Sequence, residues 1–155
     1  MTIETGISFD DLERESKPPL IPDATYEFLV KMIDDTKTTR EGRPRWMWVL
    51  QIINNPTLQN RSVIYNTPMP WKKPDGTFDA SGGGFLVDIL NGIGKKFDGV
   101  MPPYPPKELY YGSMGVMKVG HKDRPKVDPN DPDEVPIVDN TVKIITKRVG
   151  GGIVS

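Results

Sequence analysis

Residues 85–94 read Phe-Leu-Val-Asp-Ile-Leu-Asn-Gly-Ile-Gly, and no other stretch of this chain has such clear helical spacing. Its apolar side chains fall on one stripe of a helix, and they are Phe85, Leu86, Ile89, Leu90 and Ile93. Gly94 is a typical stop signal. The stretch therefore predicts a single helix over 85–93, about three turns long.

Strand-like segments lie on both sides of this helix, three before it and two after it. Each is short, and the first, second and fifth alternate in hydropathy; the five are 25–34, 45–53, 61–67, 109–119 and 140–147. Three strands, one helix and two strands is the order of a small Greek-key barrel, the OB-fold, whose usual ligands are oligonucleotides and oligosaccharides. The prediction is an all-β fold with one helix: a five-stranded OB-fold barrel with the helix between strands 3 and 4.

The alternation also predicts which side chains face the core. The first strand is expected to bury one face, formed by Tyr26, Phe28, Val30 and Met32. In the second strand, Trp46 and Trp48 share a face with Leu50 and Ile52, which favours the core for both tryptophans but leaves a ligand-facing position open. Arg45 and Met47 lie on the opposite face.

Composition limits the class of protein. The 155 residues have a hydrophobic content of 36%, with 15 Gly, 16 Pro and no Cys, which suits a loop-rich β protein without disulfides. No apolar run reaches membrane-spanning length and the N-terminus lacks the apolar core of a signal peptide, so a soluble protein of the cytoplasm is expected. The expected divisions are a flexible acidic arm (1–19), the binding domain (20–148) and a flexible Gly-rich tail (149–155).

The net charge of −1 conceals an uneven distribution of charge. Residues 1–17 hold five acids against two bases, and residues 128–134 hold four acids and no base. The remainder has 18 basic and 12 acidic residues, a net charge of +6. A positive body favours a polyanionic ligand, although acidic loops also occur simply because they are well solvated.

Two basic loops are the candidate phosphate-binding elements. The loop after the first strand carries Lys37, Arg40, Arg43 and Arg45, and the loop after the fourth strand carries Lys122 and Arg124, followed by Lys126. In an OB-fold these loops flank the ligand face of strands 2 and 3. Single-strand binders also need aromatic platforms on which bases stack. The candidates are Trp71, which is followed by Lys72 and Lys73, and Tyr65 on the third strand.

Catalytic and metal sites find little support in the sequence. Residues 82–84 are Gly-Gly-Gly, but no Lys-Ser or Lys-Thr follows them as a phosphate-binding loop would require. His121 is the single histidine and there is no cysteine, so neither a metal site nor a bound cofactor is expected. A nuclease would need a carboxylate cluster, and the adjacent pair Asp34 and Asp35 has no third partner in the sequence. The protein is therefore expected not to be an enzyme.

Six short stretches resemble one known family: 20–28, 39–46, 60–66, 85–94, 110–119 and 140–145. They are similar to phage-encoded OB-fold single-stranded DNA-binding proteins, a group catalogued as a domain of unknown function in phage replication and recombination modules. The resemblance implies that the chain coats single-stranded DNA with little sequence specificity during phage DNA replication, recombination or repair, in the cytoplasm of an infected bacterial host.

The partners implied are single-stranded DNA and, through the acidic N-terminal arm, replication or recombination proteins. The protein is expected to be a monomer or a weak homo-oligomer. One departure concerns the end of the chain, because many single-strand binders recruit partners through an acidic C-terminal tail, whereas this sequence ends in Gly-Gly-Gly-Ile-Val-Ser. The alternative function is that of a phage structural or assembly protein that uses the same barrel to bind another protein.

Overall fold

The fold is known from a computed structural model that describes residues 19–124, 130–133 and 138–147. The predicted N-terminal arm, apart from Pro19, and the predicted C-terminal tail lie outside the described residues. Lys126, in the second basic loop, also lies outside them.

The described chain is mostly β with one α-helix. In chain order its elements are β1 (Ala24–Thr38), β2 (Pro44–Ile52), β3 (Ser62–Pro68), β4 (Trp71–Lys72), β5 (Phe78–Asp79), α1 (Gly84–Gly92), a 3₁₀ helix (Lys107–Tyr110), β6 (Met114–Asp123) and β7 (Val138–Thr146).

Five strands form one antiparallel sheet in the order β3-β2-β1-β6-β7, and β4 and β5 form a separate hairpin. The prediction of five main strands and one helix is confirmed, but the prediction of a closed barrel is wrong. The edge strands β3 and β7 come close to each other, yet they do not pair as neighbours in the sheet. Helix α1 packs against both edge strands and spans the gap between them.

The helix also occupies a different place in the order of strands. It was expected directly between strands 3 and 4, but it follows β5, because the short hairpin of β4 and β5 intervenes after β3. That hairpin comes from the long stretch between β3 and the helix, where the sequence shows no strand-like alternation.

The core lies between the inner face of the sheet and helix α1. Trp46 and Trp48 are both buried, and their rings lie 6.0 Å apart at the centre of an aromatic cluster with Tyr104 and Tyr110. The Trp48 Nε1–H donates a hydrogen bond of 2.9 Å to the Thr67 hydroxyl, which satisfies its polar group inside the core. The question left open by the sequence is thus resolved in favour of the core for both tryptophans.

A bulge in β1 changes which side chains face inward. The register of β1 against β2 shifts between Val30 and Met32, so Val30 and Ile33 are buried, whereas Met32 is 43% exposed. An extra residue at a bulge reverses the alternation beyond it. The expectation that Met32 faces the core is therefore wrong.

The strand predicted over 109–119 begins later than expected. Residues Lys107–Tyr110 form a 3₁₀ helix, and Gly112 has a φ of 80°, a left-handed backbone conformation that interrupts an extended chain. Strand β6 starts only at Met114 and continues to Asp123. Tyr110 is consequently directed into the core and contributes no exposed ring.

The segment before β1, residues 19–23, bridges the open side of the sheet. Arg61, just before β3, donates a hydrogen bond of 2.6 Å to the Pro19 carbonyl. The Ile21 N–H donates to the Asn140 Oδ1 on β7 at 2.9 Å, and the Ile21 carbonyl accepts from the His121 Nε2 on β6 at 2.7 Å. Ile21 itself is fully buried. This segment, here called the lead-in, is therefore part of the fold.

Candidate nucleic-acid interface

The face of β2 and β3 that points away from the core is the surface on which an OB-fold holds its ligand. Cross-strand pairs place Met47 beside Asn66, Val49 beside Ile64, and Gln51 beside Ser62 on this surface. These side chains are half-buried or exposed, and we call the surface that they form the outer face. It is apolar in the middle and polar towards its edges. No aromatic side chain of β2 or β3 lies on it.

Basic residues lie at the end of the outer face where β2 begins. Lys37 and Arg45 are directly paired across β1 and β2, and Arg40 is exposed in the loop that joins these strands. Residues directly opposite each other in an antiparallel pair share one face of the sheet. Three of the four cations predicted in the first loop, namely Lys37, Arg40 and Arg45, are thus brought together at this end.

Arg43, the fourth cation of the first loop, is placed differently from its expected role. It is only 6% exposed, and its Nε donates a hydrogen bond of 2.7 Å to the Met69 carbonyl. Its Nη1 donates to the Ser81 hydroxyl at 3.1 Å and lies 3.7 Å from the Asp79 carboxylate. Arg43 therefore holds the base of the β4–β5 hairpin against the β1–β2 loop, and it is not displayed to a phosphate chain.

The second predicted pair of cations lies at the other end of the outer face, beside a groove between the two edge strands. The groove has a volume of about 550 Å³, and its lining includes Ser62 and Asn66 from β3, Asn140 from β7, and Lys122 and Arg124. Lys122 is exposed. Arg124 forms two hydrogen bonds of 3.1 Å with the Asp139 carboxylate, which offsets part of its positive charge.

Tyr65 lies on the inner side of β3, away from the outer face. It is paired with Trp48, its hydroxyl donates to the Phe85 carbonyl at 3.0 Å, and its ring meets the Phe85 ring edge-on. Burial, together with the nearby charge of Asp88, raises the pKa of the Tyr65 hydroxyl to about 12. The ring that was expected to stack on a base instead connects β3 with helix α1.

The β4–β5 hairpin carries the other predicted platform, Trp71, with Lys72. Trp71 is half-buried and lies across from Asp79, and its Nε1 is buried. Lys72 lies across from Phe78, and both are exposed. Phe78 was missed by the sequence reasoning, although a phenylalanine in a polar loop close to two lysines was the available signal. Lys73 is half-buried in the turn.

The carboxylates that a nuclease would need are engaged in local contacts. Asp34 accepts hydrogen bonds from the Thr36 N–H at 2.9 Å and from the Thr36 hydroxyl, while Asp35 accepts one of 3.1 Å from Lys107. Within residues 19–124, 130–133 and 138–147, no group of three His, Asp or Glu side chains is arranged to hold a metal ion.

Comparison with known proteins gave no matching family model and no matching curated relative. Among the described residues, no helix is long and apolar enough to cross a membrane.

Proposed function

We propose that the protein binds single-stranded DNA with little sequence specificity, across the outer face, as an open variant of the OB-fold. It would protect such DNA during phage replication, recombination or repair. The sheet order β3-β2-β1-β6-β7 agrees with an OB-fold that lacks only the pairing between β3 and β7, the pairing that would close the barrel. The observation that carries the proposal is the presence of cations at both ends of the outer face.

The distance between the two groups of cations suits a polymer and not a small anion. Strand β3 covers seven residues, which at about 3.3 Å per residue corresponds to roughly 20 Å. Lys37, Arg40 and Arg45 lie at the end of β1 that is paired with the start of β2, and Lys122 on β6 lies beyond the other end of β1, where Ala24 is paired with Val119. An extended strand can contact both groups with successive phosphates, while its bases lie on the apolar middle of the face.

The test is the binding of fluorescein-labelled oligo-dT, measured by anisotropy over a range of KCl concentrations. Neutralisation of phosphates on a single strand gives a slope of about −0.7 in log K against log salt for each phosphate. Replacing Lys37, Arg40 and Arg45 together by Gln should make the slope less negative by about 2. Lys95→Gln with Lys96→Gln, which removes two positive charges, is the control, because these exposed lysines follow helix α1, whose buried face packs in the core on the inner side of the sheet.

An affinity for oligo-dT that does not change with salt, or that falls equally in both sets of variants, would contradict the proposal. The exposed apolar side chains Met32 and Ile64 would then point to the alternative, a protein partner on the same surface. Duplex DNA of equal length is included because weaker binding to duplex distinguishes a single-strand binder from a general polyanion binder.

A further inference from the structure

The β4–β5 hairpin has two faces of different character. Trp71 is paired across the hairpin with Asp79, and the Asp79 carboxylate lies beside the buried Arg43. Lys72 is paired with Phe78, and these two cross-strand pairs are the two rungs of the hairpin. Successive residues of a strand point to opposite sides, so these two rungs face opposite directions. One side of the hairpin is therefore attached to the protein, and the other side is displayed.

The attached side is held firmly. Arg43 connects the hairpin to the β1–β2 loop through the Met69 carbonyl, the Ser81 hydroxyl and the Asp79 carboxylate. Hydrogen bonds from the Ser81 N–H and hydroxyl to Asp79 are the main reason why the pKa of that carboxyl is below its usual value, with a smaller contribution from Arg43. The carboxylate thus stays charged at neutral pH and remains an acceptor for these donors.

The turn of the hairpin is also ordered by its own side chains. The Lys73 N–H donates to the Thr77 carbonyl at 2.8 Å, and the Gly76 N–H donates to the Lys73 carbonyl at 2.9 Å. Asp75 accepts hydrogen bonds from both the N–H and the hydroxyl of Thr77, at 2.9 and 2.6 Å. A hairpin fixed at its base and its turn loses little conformational entropy when a ligand contacts it.

The displayed side consists of the exposed ring of Phe78 and its cross-strand partner Lys72. Phe78 is 70% exposed, and it takes part in none of the ring contacts found among the described residues. Phe85, which is also exposed, differs because it packs on Tyr65. Lys72 forms no ion pair within the part of the chain that the structure describes.

We infer that Phe78 is the base-stacking residue of the DNA site and that Lys72 pairs with the phosphate next to the stacked base. This inference rests on the proposed function and supplies the aromatic platform that the outer face itself lacks. The hairpin begins three residues after Pro68, which is paired with Arg45, so it starts from the end of β3 where Lys37 and Arg45 are paired.

The experiment compares two ligands, oligo-dT and an abasic deoxyribose-phosphate oligomer of equal length, for the wild type and for Phe78→Leu. Both ligands offer the same phosphates, and only oligo-dT offers bases. We expect Phe78→Leu to weaken oligo-dT binding roughly 5- to 150-fold, the usual worth of one base stacked on an aromatic ring, and to leave abasic binding unchanged. The salt slope should also stay constant, since no phosphate contact is lost.

Two further variants complete the design. Phe78→Trp should bind oligo-dT more tightly than Phe78→Leu does, and oligo-dT should quench the fluorescence of the new tryptophan. Phe85→Leu is the control for loss of an exposed phenylalanine elsewhere. If the wild type binds oligo-dT but Phe78→Leu binds it equally well, this inference is overturned while the proposed function stands. If the wild type binds neither ligand, the proposed function fails and the inference fails with it.

Discussion

Arg43 and Arg40 belong to the same loop and carry the same charge, but one is buried and the other is exposed. Arg43→Ala would remove the donors to the Met69 carbonyl and the Ser81 hydroxyl. Loss of such buried partners should lower the free energy of unfolding by about 1–3 kcal/mol. Urea denaturation followed by tryptophan fluorescence measures this change.

Arg40→Ala is the matched control in that measurement. Its free energy of unfolding should stay within about 0.5 kcal/mol of the wild type, as is usual for exposed positions. Its salt slope on oligo-dT should become less negative by about 0.7, the contribution of one phosphate contact, whereas Arg43→Ala removes no phosphate contact of its own and should change the slope less. The opposite pattern, with a stable Arg43→Ala that loses salt dependence, would show that Arg43 contacts DNA.

Local hydrogen bonds also lower the pKa values of three aspartates. The hydroxyl of Thr36 is the main cause for Asp34 and that of Thr77 for Asp75, whereas the N–H of Ser81 is the main cause for Asp79. A carboxyl whose pKa is lower in the folded state than in the unfolded state stabilises the protein above the unfolded value, here about 3.8. That contribution is lost as the pH falls below 3.8 through the folded-state value.

Thr77→Ala tests this pH dependence at the turn of the β4–β5 hairpin. The variant should be less stable than the wild type at pH 6, and the difference should shrink as Asp75 becomes protonated below about pH 4. Carboxyl titration by NMR should show a higher pKa for Asp75 in the variant than in the wild type. A wild-type Asp75 that titrates at its ordinary value would contradict the assignment.

The sequence could identify the cations but not their surroundings. The residues next to Arg43 in the sequence do not distinguish it from an exposed loop arginine. Its three partners are distant in the chain, at residues 69, 79 and 81. Burial of a charge depends on acceptors brought together by folding, which charge counting does not include. Lys37, Arg40 and Arg45 were grouped only because they belong to one loop. The structure also keeps them together, because the loop is short and Lys37 is paired with Arg45 across it.

The contact between helix α1 and the sheet depends on two glycines. A Cβ on Gly115 would lie 2.8 Å from the ring tip of the fully buried Phe28 and 3.1 Å from the Gly92 carbonyl of the helix. The Phe28 ring is enclosed in the core and the Gly92 carbonyl belongs to the helix backbone, so a shift of either disturbs its own packing. Gly115→Ala should therefore lower the free energy of unfolding by about 1–3 kcal/mol, the usual cost of overpacking, as measured by urea denaturation.

Gly84→Ala is the control within the same pair of elements. A Cβ there meets nothing within 4 Å, and Ala is favoured over Gly in a helix by up to about 1 kcal/mol. This variant should be as stable as the wild type or slightly more stable. If Gly115→Ala were equally harmless, the close approach of helix and sheet at Gly92 would not exist in solution.

Hydropathy patterns predicted the elements well where side-chain alternation is regular. The bounds of β2 and α1 were found to within a residue because each has a clear period, and the turn residues before β3 located that strand equally closely. The bulge at Val30–Met32 and the late start of β6 were missed, because one irregular residue shifts or ends the alternation without changing the composition around it. The β4–β5 hairpin has only two residues in each strand, which is too short to show a period.

Closure of the sheet is a property of the entire chain. The barrel was predicted from the order of elements, but closing it requires β3 and β7 to pair, and these strands lie far apart in the sequence. Whether two distant edges meet depends on what lies between them. Here the lead-in is hydrogen-bonded to Arg61 beside β3 and to Asn140 on β7, and helix α1 packs against both strands.

The lead-in should consequently stabilise both edges of the open sheet. Ile21 is fully buried, so Ile21→Ala should lower the free energy of unfolding by about 2–5 kcal/mol through lost burial and a residual cavity. Leu20, its exposed neighbour, serves as the control, and Leu20→Ala should change that energy by no more than about 0.5 kcal/mol. Urea denaturation gives both values.

Hydrogen exchange distinguishes this role from a general loss of core packing. If the lead-in holds the edges, a variant such as Ile21→Ala should speed exchange in β7 more than in the central strands β1 and β2, which keep neighbours on both sides. Uniform acceleration in all five strands would mean that Ile21 is only one more core side chain. Local opening at β3 and β7 would also widen the groove beside Lys122 and Arg124, so the same variant should alter the binding of oligo-dT at that end of the outer face.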